Sequence, residues 1–391
     1  MIRSASLHTL MIDDPAAALQ EIQGQLQEKL VLLRNTVGIV HCDFDFIESG
    51  VIAHLCDSLP FPLVGATSSA QATHEEFGSL MLTILVLTSD DVEFSHTHTI
   101  GLTRDLQGAM DRSVPASYEA SSFPLQLVLT FAPMLEIYSG DTYINELERL
   151  YGQTPVFGTL ATDDYITNRE HIVTICNNQT FSDEVVYVLI RGNVTPRFFM
   201  EAVPQQAKLL DLGVITKAED NALCAINSVR TIEVFENIKL AQNGVVCNGI
   251  ESIPFMLSPC KNNEVMSRPF VRKLMHFDTS GTAFFRGAIY ENTVLAASSL
   301  SSDDILLSAT ETTRSLNSEK NIHAVLVYSC ISRRTVLANT PQIELEQVCK
   351  TIRPDIPFMM SYSGGEICPT SASTHSVENR FHNFTFVACA L

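Results

Sequence analysis

The sequence runs three times through one order: an apolar run, an amphipathic stretch, a proline, and a second apolar run that ends in small polar residues. VGIVHC (37–42) leads through IESGVIAHLCDSL (47–59) to PLVG and ATSSA (62–70). LQLVLTF (125–131) leads through TYINELERLYG (142–152) to PVFG and TLATDD (155–164). HAVLVYSC (323–330) leads through PQIELEQVCKTI (341–352) to PFMM and SYSGGE (357–366). A further apolar run follows each time: SLMLTILVL (79–87), EVVYVLI (184–190) and HNFTFVACAL (382–391). Short continuous apolar runs beside helical patterns are strands covered by other layers, so the class is α/β, with repeated βαββ units forming mixed sheets covered by helices. A spacing of about one hundred residues is too long for a solenoid and predicts pseudo-symmetric modules of one fold.

Helices precede the units as well. Asp14 before Pro15 predicts a capped start for AAALQEIQGQLQEKLVLL, and TRDLQGAMDR (103–112) and SDDILLSATETTRSL (302–316) hold the matching places. Between the second and third units the grammar changes. NALCAINSVRTIEVFENI (221–238) reads as a short strand or hairpin entering a helix, and 272–300 as a hairpin meander around the Thr-Ser-Gly turn at 279–281. This is an inserted β-rich hairpin region. SPCKNNEVMSRP (258–269) is expected to be an exposed linker, and GNVTPR (192–197) marks a domain seam near 195–220.

A length of 391 residues calls for two or three packed units. The formal charge of −19, without a Lys/Arg cluster, argues against nucleic acid and anionic membrane surfaces as partners. No run of about eighteen apolar residues is present to insert in a bilayer, and MIRSASLHTLMIDDP lacks the apolar core of a signal peptide. The ten cysteines are scattered, never spaced as CxxC, and mostly sit in apolar runs. That is the distribution of reduced, buried thiols, and the expected compartment is the cytoplasm.

No GxSxG, HExxH, GxxxxGK[ST] or post-strand GxGxxG motif occurs. Asp163 and Asp164 read as a solvated turn, with a hydroxyl or cation as the alternative ligand. His96 and His98 share one strand face without a third ligand at zinc spacing, so no metal is expected there. His276, Cys368 and Cys260 are the candidate haem ligands, though each such residue is more often a core or loop residue.

The strongest constellation is carboxy-terminal. The strand ending at Cys330 and the strand ending in SYSGGEICP belong to one unit, and ends on the same edge would bring Arg333 to Gly365 and Glu366. An arginine fork suits a carboxylate, and glycines leave backbone N–H groups accessible. The candidate ligand-binding set is Cys330, Arg333, Ser363, Gly364, Gly365 and Glu366. The structural alternative is a buried Arg–Glu pair that fixes strand ends, with Glu344 and Glu346 competing for Arg333. A small hydrolase would need Cys330 as nucleophile with the His323 or His382 region as base.

Ser329-Cys330-x-x-Arg333, the helical Glu344, SYSGGEICP and HNFTFVACAL resemble the carboxy-terminal half of FIST proteins. PLVGATSSAQA (62–72) and PVFGTLATDDY (155–165) resemble strand ends of the amino-terminal half, and GVITKAEDNALCAINS (213–228) the joining segment. Ser361 and Tyr362 depart from the pattern, and Ala70 stands where members often carry Gly before an acid. The resemblance implies a FIST N-like domain over 1–195, a connecting segment over 196–220 and a FIST C-like domain over 221–391. Without an F-box, kinase, cyclase or methyl-accepting segment, the expectation is a sensory module standing by itself. It implies a non-enzymatic intracellular sensor of a small molecule such as an amino acid, feeding a histidine kinase or diguanylate cyclase. Some stand-alone members resemble haem-containing nitric-oxide sensors, so haem is the implied cofactor of the alternative reading. A pure interaction scaffold is the remaining alternative.

Overall fold

In a computed structural model the chain is described over residues 1–115, 118, 121–164, 169–204, 207–242, 245–247, 252–261, 264–265, 269–372 and 376–391. Each predicted unit contributes a parallel strand pair. Asn35–Cys42 lies beside Leu63–Thr67, Leu125–Ala132 beside Val156–Leu160, and Val325–Cys330 beside Phe358–Ser363. The closing strand of each unit, Leu82–Ser89, Val186–Gly192 or Phe386–Ala390, pairs antiparallel with the first strand of its pair. The strands Arg3–Thr9, Val92–His98 and Arg197–Glu201 then form the edges. The units follow one plan, as their shared grammar predicts.

The other side of each sheet comes from a different unit. The hairpin Thr174–Cys176/Gln179–Phe181 of the second unit pairs with Leu63–Thr67 of the first. The hairpin Glu366–Ala372/Val377–His382 of the third unit pairs with Val156–Leu160 of the second. Gln71–Ala72/Phe77–Gly78 of the first pairs with Phe358–Ser363 of the third. Strand exchange thus runs in a closed cycle through three six-stranded sheets among the described residues. The segments 1–195 and 221–391 interlock as a result, and 196–220 carries the edge strand Arg197–Glu201 and the strand Leu209–Glu219.

The inward faces of all three sheets meet in one core containing Ile39, Val64, Leu129, Phe157, Leu326 and Met359. The outward faces are covered by helices. Pro15–Lys29 and Val51–Ser58 cover the first sheet, Leu106–Arg112 and Gly140–Tyr151 the second, and Ser302–Asn317 and Ile343–Thr351 the third. Burial on both faces is why these strands read as unbroken apolar runs. Asp14 caps the first helix by accepting the N–H of Ala17.

The insert is more ordered than a meander. Leu209–Glu219, Thr293–Ser298, Pro254–Lys261, Phe270–Phe277, Ala283–Phe285 and Ala222–Ile226 pair in that order, and the last pairs back with the first, closing a barrel. Phe255, Leu257, Phe270 and Phe285 fill it, and the helix Thr231–Asn237 contributes Phe235. The linker expected over 258–269 is corrected in part. Residues 258–261 extend a barrel strand that turns back through Glu264–Val265, while 262–263 and 266–268 lie outside the described residues.

One side chain anchors the barrel to the body. Arg272, fully buried, donates to both carboxylate oxygens of Asp141 at 2.9 and 3.1 Å, to the Phe381 carbonyl at 2.6 Å and to the Ala288 carbonyl at 3.1 Å. Asp141 opens a second-unit helix and Phe381 sits in the exchanged hairpin, so one guanidinium ties three elements.

Candidate functional site

Arg333 does not reach toward Glu366. Its Nε and Nη2 donate to Glu344 Oε1 at 3.0 and 2.6 Å, and Nη2 also donates to the Ser308 hydroxyl and the Ile305 carbonyl. Ser329 and Tyr362 donate to the other oxygen of Glu344 at 2.8 and 3.0 Å. Both charged side chains have zero exposure, so this is a closed ion pair joining the third sheet to its helices. The helix Ile343–Thr351 turns Glu344 inward, whereas Glu346 pairs with Lys350 on the surface. Arg333 is therefore committed to Glu344, the competing partner, rather than to Glu366.

The two glycines are likewise committed. Gly364 donates its N–H to the Leu160 carbonyl at 2.9 Å, and a Cβ there would collide with Met134 Cε and lie 2.8 Å from the Ala161 carbonyl oxygen. Gly365 has φ +154 and donates to Ser363 Oγ at 3.1 Å, and a Cβ on it would run into the Phe381 ring. Close approach explains both, to the second unit at Gly364 and to the third unit's own hairpin at Gly365, and neither offers bare main chain to a guest.

Three of the expected residues do assemble. Cys330 lies opposite Ser363 in the parallel ladder, and both stand beside the carboxyl of Glu366. Glu366 has zero exposure. Its Oε2 accepts the Thr385 hydroxyl and, at 3.4 Å, the Thr385 N–H, while Oε1 is buried without a hydrogen bond among the described residues. Burial raises this acid from 4.5 to about 8, and the neighbouring Thr385, Ser363 and Cys330 groups only partly offset it. At neutral pH it carries its proton.

The barrel lays two cations over this cluster. Lys273 donates its N–H to Asn383 Oδ1 at 3.1 Å and its Nζ to the Ser332 hydroxyl at 3.3 Å. Arg286, whose N–H donates to the Lys273 carbonyl at 2.8 Å, brings its guanidinium near Cys330 and Arg169. Both keep partial exposure, whereas Cys330, Ser363 and Glu366 are sealed beneath. Sequence reasoning missed Lys273, Arg286 and Thr385. The Arg-Lys pair inside the apolar run FVRKLM was the available signal for the first, since alternate strand residues face opposite sides.

Nucleophilic chemistry is poorly served here. Burial, with the Glu366 carboxyl adding to it, pushes the Cys330 thiol up to about 12. Burial holds His382 down to about 3, and its Nε2 faces the Cys368 carbonyl at 3.1 Å. The backbone N–H of His323 donates to the Leu391 carbonyl, at the opposite end of the strand from Cys330. Thiolate and base are thus not paired.

The candidate haem ligands lie apart in the fold. Cys368 has zero exposure within the shared core, and its thiol faces the Pro369 carbonyl. His276 is exposed and stacked on Phe284 at 5.0 Å. Cys260 lies beyond the Leu257↔Phe270 end of a ladder and His276 beyond its Pro254↔Lys273 end, so the two are far apart on the barrel.

Elsewhere, the acids at 163 and 164 form a junction rather than the expected solvated turn. Asp163, nearly buried, pairs with His171 at 3.3 Å, His171 stacks on Phe44 of the first unit, and Asp164 pairs with Arg334 of the third. His96 and His98 meet Asn177 and Phe181 of the exchanged hairpin. Among the described residues no His/Cys/Asp/Glu group is arranged to hold a metal. A cavity of about 350 Å³ opens at the far end of the third sheet, lined by Ile2, Val194, Arg197, Ile322, His323 and Leu391. Its Arg197 is paired with Glu319 at 2.6 Å.

A solved structure, the cyanuric acid hydrolase from A. caulinodans, is similar to the chain at 10% identity and a TM-score of 0.33, covering 100% of this chain and 99% of that one. No curated protein sequence matches. No helix among the described residues is long and apolar enough to cross a membrane. The FIST N domain model matches residues 36–228 and the FIST C domain model residues 234–369. Matched over most of its length, the chain belongs to the FIST family, whose domains generally serve signal transduction as sensors of small ligands.

Proposed function

We propose that this protein is a non-catalytic sensor that binds a small molecule, an amino acid or a similar ligand, where the barrel meets the strand ends of the third unit. Lys273 and Arg286 meet the ligand first, above Cys330, Ser363 and Glu366. Ligand seating changes how the barrel rests on the interlocked sheets, and a signalling protein such as a histidine kinase or diguanylate cyclase reads that change. The setting is cytoplasmic, which suits ten free thiols.

The observation that carries this reading is the buried Glu366 carboxyl, with one oxygen free of hydrogen bonds among the described residues, beneath cations supplied by the barrel. Polar groups are seldom buried incompletely satisfied in a purely structural seam. A thermal-shift screen of amino acids and related small molecules tests it. A ligand that binds the folded chain raises the melting temperature increasingly as its concentration rises. Turnover of a generic ester or amide, lost in Cys330→Ala, would overturn the non-catalytic reading.

A further inference from the structure

The seam between the first and third units is carried by two ladder pairs, Met360↔Ala72 and Ser361↔Gln71. Residues directly opposite in an antiparallel ladder turn their side chains to the same face, with Cβ atoms about 4.5–5.5 Å apart. Met360 and Ala72 enter the helix-covered core of the third sheet. Ser361 and Gln71 therefore share the inward face, where Met359 and Tyr328 of the same two strands join the common core. Both have zero exposure. Gln71 donates its Nε2 to the Ser68 carbonyl at 2.9 Å, which leaves Oε1 as the free end of the amide. That oxygen and the Ser361 hydroxyl are both buried without a hydrogen bond among the described residues, and so is the hydroxyl of Ser69, two residues before Gln71. Nearby hydroxyls are already engaged. Ser68 donates to the Tyr362 carbonyl at 2.8 Å. His41 Nδ1 faces the Ala66 carbonyl at 2.9 Å and so bears the ring proton, which leaves Nε2 to accept from the Tyr328 hydroxyl at 3.2 Å.

The unmatched groups are complementary. Gln71 Oε1 can only accept, whereas each serine hydroxyl has a proton to give and lone pairs to spare. Buried polar groups of this kind are normally satisfied by protein or by an internal water that makes two to four hydrogen bonds. We propose that an ordered water molecule is built into this seam, donating to Gln71 Oε1 and accepting the proton of the Ser361 hydroxyl. Its second proton and second lone pair serve the Ser69 hydroxyl and the neighbouring main chain. A cation fits the set poorly, since Ser68, Ser69, Gln71 and Ser361 supply no negative charge, and an apolar guest would leave all three oxygens unbonded. The water ties the exchanged hairpin of the first unit to the third sheet on the inward face, as Met360 and Ala72 tie it on the outward one. This goes beyond the sensor reading and does not depend on it.

The test is a high-resolution crystal structure of the whole wild-type chain, joined to oxygen-17 relaxation dispersion of the solvent, which counts the waters held inside a protein. The map should show one ordered water within hydrogen-bond distance of both Gln71 Oε1 and Ser361 Oγ. In Ser361→Val, which removes the hydroxyl and fills its surroundings with methyl groups, the count of internal waters should fall by one. Gln71→Leu and Ser361→Val should also be non-additive in melting temperature, the double variant losing less than the two single losses together, because both side chains anchor the same molecule. A map in which Ser361 bonds Gln71 directly, or in which the seam holds a metal ion or no peak, would overturn the proposal. An unchanged count in Ser361→Val, or additive losses, would overturn it as well. Should the variants fail to fold, the wild-type map decides alone.

Discussion

Replacing Glu344 with alanine leaves Arg333 charged, fully buried and facing only the Ser308 hydroxyl and the carbonyls of Ile305 and Phe384. The Ser329 hydroxyl loses its acceptor in the same step, and the Tyr362 hydroxyl is left with the Pro341 carbonyl at 3.5 Å. Removing one partner of a buried pair typically costs about 3–5 kcal/mol, because the surviving charge has no water to return to. The orphaned Ser329 hydroxyl and the weakened Tyr362 hydrogen bond place Glu344→Ala toward the upper end of that range. The assay is urea unfolding followed by far-UV circular dichroism, which should show a clear fall in the midpoint. The double variant Arg333→Met/Glu344→Leu, which removes both charges, should recover most of the loss. A change below about 1 kcal/mol, the ordinary worth of an exposed pair, would refute the assignment of this pair as a structural clasp.

Asp141→Ala strands Arg272 in the same way and should cost a similar amount, with faster hydrogen exchange in the barrel strand Phe270–Phe277 as its particular signature. Gly364→Ala brings a methyl group within 2.8 Å of the Ala161 carbonyl oxygen and should destabilise by about 1–3 kcal/mol in thermal unfolding, from overpacking between units. Glu366 holds its proton up to about pH 8 in the fold, against 4.5 when unfolded. The native state therefore binds the extra proton between those values, and stability falls as pH rises across that window. Glu366→Gln should flatten this slope and exceed wild type in melting temperature most clearly above pH 8.

Much of the architecture was legible because it is local. VGIVHC, LQLVLTF and HAVLVYSC are unbroken apolar runs, and a shared core on one side with helices on the other is what such runs require. The exchange of hairpins between units was not legible, since Gln71, Thr174 and Glu366 carry no local mark of the distant strand that receives them. Closure of the barrel is hidden for the same reason: it depends on the Leu209–Glu219 strand pairing on both sides. At the site, Cys330, Ser363 and Glu366 came from strand-end reasoning, but the cation did not. Arg333 was the arginine nearest in sequence, and the helix Ile343–Thr351 gave it Glu344 instead. Arg286, in AFFRG, arrives from the barrel across about forty residues of chain, which no spacing rule connects.

The most direct measurement of the central claim is hydrogen–deuterium exchange of the whole chain with and without whichever molecule raises its melting temperature. Protection should concentrate in 270–277 and 283–287 of the barrel, with 329–333 and 363–367 of the third unit. Protection confined to 193–197 and 321–323, around the cavity at the opposite end of the third sheet, would contradict the account.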